Sequence, residues 1–77
     1  MPKYFFSVRH GDQTSQHDDG IDFPDVAAVR VEATKSTGEI LRDLNHALEA
    51  GSELRVEVAD EARKPVFSLR VIAELHE

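Results

Sequence analysis

Between Asp25 and Gly51 the chain reads DVAAVRVEATKSTGEILRDLNHALEAG, and this stretch limits the available folds more than any other. On a helical wheel, Val26, Val29, Ala33, Thr37, Ile40, Leu41, Leu44, Ala47 and Leu48 gather on one side. Glu32, Lys35, Glu39, Arg42, His46 and Glu49 collect on the other. That separation predicts an amphipathic helix with one buried stripe, which the strands to either side must cover. Asp25, after Pro24, suits the N-cap, because its carboxylate can accept from the free N–H groups of the first turn. Gly51 suits the left-handed position just past a helix end. Such a helix would run about 38 Å, against about 26 Å for the flanking strands, so it should overhang its sheet or bend. Ser36-Thr37-Gly38 is the place for a bend, since glycine is a poor helix former. Arg30 should lie along the stripe with its head in water. Lys35, Glu39 and Arg42 make a spaced charge ladder on the wet face.

Lys3 to Arg9 is rich in aromatic and β-branched residues and reads as a strand, ended by the turn residues His10-Gly11-Asp12. Alternation turns Tyr4, Phe6 and Val8 towards the helix and Phe5, Ser7 and Arg9 away from it. Gln13 to Gly20 is polar and without period; a short edge strand around Thr14–His17 is favoured over a plain loop. Asp18-Asp19-Gly20 marks a turn, and Ile21 and Phe23 look like anchors tying it to the core. Glu53–Ala59 alternates cleanly, with Leu54, Val56 and Val58 inward and Arg55 and Glu57 outward. Val66–Ile72 follows across a polar hairpin loop, with Phe67, Leu69 and Val71 inward and Val66, Ser68, Arg70 and Ile72 outward.

The expected fold is therefore α+β: one long amphipathic helix against an antiparallel sheet of three strands, or four with the edge strand, in the order β-(β)-α-β-β. Val66–Ile72 is placed in the middle, between Lys3–Arg9 and Glu53–Ala59. The alternative sets Glu53–Ala59 beside the first strand in parallel, through a right-handed crossover. The antiparallel order is preferred because the outward positions turn polar, as in a sheet with one wet face.

A chain of 77 residues supports a single domain over positions 1–77, with a small core. There is no cysteine, which removes disulfides and thiolate metal sites and suits a cytoplasmic protein. No apolar run approaches the length that spans a bilayer, and the polar Ser7-Val8-Arg9-His10 follows the opening aromatics too soon for a secretory signal. Nine Lys and Arg against 15 Asp and Glu give a net charge of −6. Phosphate backbones are repelled by that balance, and the one adjacent basic pair, Arg63-Lys64, falls in a turn, so nucleic acid is not an expected partner.

Lys-Tyr-Phe-Phe at 3–6 with Val8-Arg9, Asp-Asp-Gly at 18–20, Pro24-Asp25 leading into Ala27-Ala28, and Val58 with Asp60-Glu61-Ala62 form an ordered series. In that series the chain resembles a family of small uncharacterised bacterial proteins, common in rhizobia and their relatives and classed as a domain of unknown function. The resemblance spans nearly the whole chain. Gly38 departs from the family pattern, which favours a good helix former there. What the resemblance implies is a small bacterial domain; it brings no assigned activity, cofactor or catalytic residue.

His10, Asp12, His17, Asp18, Asp19 and Asp22 bring imidazoles and carboxylates into one region. Two histidines and a carboxylate can hold zinc or iron, so a metal-binding domain built on the His10–Asp19 loop is the alternative reading. The spacing matches no established metal motif, and a solvated acidic turn is the plainer account. Ser15 and His17 lie close, yet no strand–turn–helix elbow aims a nucleophile, and so short a chain leaves little room for a pocket. His46 and His76 read as exposed side chains. No catalytic residue and no cofactor is expected.

One helix covers one face of a sheet. Phe5, Ser7, Arg55, Val66, Ser68, Arg70 and Ile72 point away from it, and the apolar members Phe5, Val66 and Ile72 make that face the candidate surface for a protein partner or for a homodimer. The expected function is accordingly a small non-catalytic interaction module.

Overall fold

Among the described residues, five strands and one helix follow one another as β1 (Lys3–His10), β2 (Gln13–Gln16), β3 (Ile21–Asp22), α1 (Val26–Asp43), β4 (Glu53–Ala59) and β5 (Pro65–Ile72). They belong to a computed structural model that describes residues 2–16, 19–44 and 50–76. The strands form one antiparallel sheet in the order β2-β1-β4-β5, with β3 pairing the start of β1. The α+β class and the single helix agree with expectation. The strand order does not.

Glu53–Ala59, not Val66–Ile72, sits in the middle, and it runs antiparallel to β1 rather than parallel. The reason lies in the edge. Segment β2 pairs with the far half of β1 (His10↔Gln13 to Ser7↔Gln16), and β3 then pairs with its near end (Tyr4↔Ile21, Lys3↔Asp22). The chain has thus returned to the start of β1 before the helix begins. Helix α1 carries it back to the far end, and β4 must descend alongside β1. A β2 treated as a ragged extra misses this reversal.

The helix begins where its cap requires: the Asp25 carboxylate accepts from the Ala28 N–H at 2.9 Å. It passes through Gly38 without a break and stops at Asp43, after 18 residues, with Leu44 already extended (φ −66, ψ 135). That is about 27 Å of helix, which matches the strands beneath it. The expected excess length is resolved by an earlier end. Gly51 consequently does not close the helix. It is left-handed (φ 85), and its N–H donates to the Ala73 carbonyl at 2.8 Å, so its conformation serves the approach to β4. His17, Asp18, His46, Ala47 and Leu48 lie outside the described residues.

Burial follows the expected parity. Tyr4, Phe6, Val56 and Val58 from the sheet close on Val29 and Ala33 of the helix, with Leu54 buried beside them. Each large side chain removed from water this way contributes roughly 1.5–3 kcal/mol before entropy is counted. Thr37 is buried too, and its hydroxyl donates to the Ala33 carbonyl at 2.8 Å, which satisfies it within the helix. Phe23 leans on the rings of Tyr4 and Phe6, each 6.1 Å away centre to centre, and is the anchor expected of it. Ile21 and Val26 are instead largely exposed.

The helix lies over β5 and β4. Arg30 places its guanidinium 6.0 Å from the Phe67 ring, in keeping with a stem laid along the stripe. Lys35, Glu39 and Arg42 form no ion pair among the described residues; the ion pairs of this molecule lie mainly on the sheet.

Candidate functional site

Cross-strand register decides what the helix-free face presents. Arg9 of β1 stands opposite Arg55 of β4, and Arg55 stands opposite Arg70 of β5, so three arginines lie abreast. The next outward row holds Gln16, Ser7, Glu57 and Ser68. Phe5 and Ala59 follow, and Ile72 faces Glu53 at the opposite end.

Like charges set directly opposite one another destabilise a sheet. Here two glutamates offset part of that cost. Glu53 and Glu57 flank Arg55 on its own strand. Arg55 Nε lies 3.2 Å from Glu53 Oε1, and its Nη1 donates to Glu57 Oε1 at 3.2 Å. Arg70 donates to Glu53 Oε2 from both Nε (3.2 Å) and Nη2 (2.9 Å). The Arg70 hydrogen bond, with the charges of Arg70 and Arg55, holds the Glu53 carboxyl below its ordinary value. Even so the acceptors run short. Arg55 Nε is buried without an aligned hydrogen bond, and Arg9 makes no ion pair among the described residues.

A fourth arginine joins from the β4–β5 turn. The Asp60 carboxylate accepts from the N–H groups of Ala62 and Lys64, both at 2.9 Å, and Arg63 takes up a left-handed conformation (φ 65). Turns of this kind usually place glycine there. The arginine in its stead lays its guanidinium 4.2 Å from the centre of the Phe5 ring. Gly20 approaches the same ring closely enough that a Cβ at that position would sit 3.2 Å from Phe5 Cε1 and 3.0 Å from Lys3 Cβ. Phe5 is therefore half-buried, not a bare apolar contact.

The expected apolar patch of Phe5, Val66 and Ile72 is corrected on two of its members. Phe5 is capped by Arg63. Val66 packs against the core: Val58 pairs with Phe67 and Ala59 with Pro65, so Val66 is the extra residue of a β-bulge, where strict alternation fails. Ile72 remains exposed, at 49%. Ser7, Arg55, Ser68 and Arg70 do come together on one face, as expected. Adjacent basic residues in the sequence do not reveal this cluster, since the sheet assembles it from arginines far apart in the chain. These four arginines and two glutamates sum to +2, within a chain of net charge −6. Arg9 and Arg63 are the two arginines that the candidate face left out. The outward parity of Arg9 was available, but its alignment with Arg55 needed the strand order.

Other candidates are placed as follows. His10 ends β1 opposite Leu54 and Gln13, and Asp12 lies in the turn beyond it. Asp19 and Asp22 are exposed. Among the described residues no three His, Cys, Asp or Glu gather to hold a metal ion; His17 and Asp18 lie outside them. Ser15 is exposed on β2 opposite Val8, and its partner His17 again lies outside the described residues. A half-open groove of about 730 Å³, larger than so short a chain suggested, lies between α1 and β1, floored by Phe6, Val8, Ile40 and Val56 and edged by Glu32 and Asp19. No described helix is long and apolar enough to cross a membrane.

Together these features define a class: a small α+β fold with one helix on one face of a mostly antiparallel, charge-bearing sheet. The chain belongs to the family described as Domain of unknown function (DUF6894), whose pattern it matches over residues 3–73. No curated protein and no solved structure matches it.

Proposed function

We propose that this chain is a non-catalytic interaction module that binds a protein partner, or a second copy of itself, through the helix-free face of its sheet. The observation that carries the reading is the one-sided cover: α1 lies over β5 and β4, while the opposite face has no second layer among the described residues. That face is built from Arg9, Arg55 and Arg70 with Ser7, Glu57 and Ser68, side chains suited to recognition through hydrogen bonds and charge. The free edges of β2 and β5 offer further backbone groups to a partner strand, with the short polar β2 the more guarded of the two. The setting is the cytoplasm of a bacterium, a reading supported by the lack of cysteine and by the family resemblance.

A photo-reactive residue at Ser68, compared with one at Lys35 on the wet face of the helix, tests the proposal in cell extract. Cross-links to another protein, or to a second copy, are expected from Ser68 and not from Lys35. Equal labelling at both sites, or none at Ser68, overturns it.

A further inference from the structure

We infer that the helix-free face receives an acidic, extended segment of a partner protein, whose carboxylates seat on the Arg9–Arg55–Arg70 row. This rests on the interaction reading above and names the chemistry of the partner. The first argument is charge complementarity. A chain of net −6 gathers four of its arginines on one face at +2, and keeps three of them directly opposite one another despite the repulsion. All three are arginine and none is lysine. The guanidinium is a planar fork that matches a carboxylate through two parallel hydrogen bonds.

The second argument is the shortage of acceptors. Glu53 is shared between Arg70 and Arg55, Glu57 serves Arg55, and Arg9 has no carboxylate partner among the described residues. Each guanidinium brings about five N–H donors. Two glutamates offer fewer acceptor sites than three such groups have donors, and Arg9 and Arg70 are exposed, so their surplus donors are open to a ligand. Spacing is the third argument. Adjacent strands stand about 4.8 Å apart, so the row extends roughly 10 Å across the sheet. Alternate side chains of an extended segment recur every 6.8 Å or so, which sets two carboxylates within the row's length when the segment crosses the strands. Ser7 and Ser68 flank Glu57 in the neighbouring row and can bond its backbone.

Other occupants fit less well. Nucleic acid would meet Glu57 in mid-face and a chain of net charge −6, and the one aromatic on the face, Phe5, is already stacked under Arg63. A second copy docking the same face on itself would bring +2 against +2.

Fluorescence anisotropy with a labelled peptide of alternating Glu and Ser, at low salt, tests the assignment. Wild type is compared with Arg9→Gln/Arg70→Gln and with Arg30→Gln/Arg42→Gln, two pairs of equal net charge. The peptide is expected to bind wild type, to lose roughly tenfold or more in affinity for the row pair, and to stay within about twofold for the helix pair. Far-UV circular dichroism checks folding. Should the row pair fail to fold, Arg9→Gln alone replaces it, because Arg9 supports no ion pair among the described residues. Equal weakening of both pairs, absence of binding, tighter binding of an oligothymidine of equal charge, or a dimer of the protein alone that depends on Arg9 would each overturn the assignment. Failure with cross-linking from Ser68 intact removes only the acidic partner; loss of the Ser68 cross-links removes the interaction reading itself.

Discussion

Strand β4 carries two contrasting regions on a single backbone. Its even-numbered residues, Leu54, Val56 and Val58, are at most 1% exposed under the helix. Its odd-numbered ones, Glu53, Arg55 and Glu57, are half-buried on the far face and joined by ion pairs. The same seven residues thus supply three core side chains on one side and much of the charge network on the other. The inner side is governed by area removed from water, which is non-directional and large. The outer side is governed by pairing in a wet environment, where each contact is worth little. A face that contributes so little to folding, yet sets three arginines side by side, is poorly explained by stability.

The sharpest way to break this contrast is to truncate each side of β4 in turn. Leu54→Ala should cost about 2–5 kcal/mol, which would unfold a large fraction of so small a domain. Arg55→Ala, next to it in sequence, should cost under about 1 kcal/mol, because its partners are about a third exposed and solvent screens them. Urea titration followed by circular dichroism measures both. If Arg55→Ala proves as damaging as Leu54→Ala, the outer face is a structural network and the interaction reading loses its support.

Smaller effects belong to the helix that makes the two faces differ. Asp25→Ala removes the acceptor for the Ala28 N–H and should cost about 1 kcal/mol in the same titration. Gly38→Ala should move stability the other way, by up to about 1 kcal/mol. Gly38 lies within the helix with open space where a Cβ would stand, so alanine gains helix propensity without a clash. A loss on Gly38→Ala would mean that the helix bends there after all.

The inner half of this contrast was legible from residue order alone, because apolar alternation with a period near two is a local signal. Leu54, Val56 and Val58 declare their side of the sheet, and Glu53–Ala59 could be bounded without coordinates. The outer half was legible only in part. Ser7, Arg55, Ser68 and Arg70 follow from parity, but the arginine row depends on which strands are neighbours. That in turn depended on the short polar segment Gln13–Gln16, whose composition hardly distinguishes strand from loop. Val66 escaped for another reason: a bulge inserts one residue, and period-two reasoning assigns it to the wrong side. Arg63 sat in a turn position that favours glycine, and nothing local tied it to Phe5.

The smallest effect is the most specific to the outer face. Glu53 titrates below its ordinary value of 4.5 because Arg70, first by hydrogen bond and then by charge, favours the carboxylate in the folded chain. A carboxyl depressed on folding adds stability that is fully present above its unfolded pKa. That stability is lost as pH falls through the folded one. Lowering pH from neutrality should therefore leave this contribution untouched until the carboxylate range is reached, then remove it as the Arg70 and Arg55 pairs lose their anion. Glu53→Gln should leave a shallower acid limb in a plot of stability against pH, and added salt should narrow the gap between variant and wild type, since the pair is exposed enough to be screened. An acid limb identical in the two proteins would mean that Glu53 does not hold Arg70 in solution. Arg70 would then stand free of Glu53, with more of its donors open on the face.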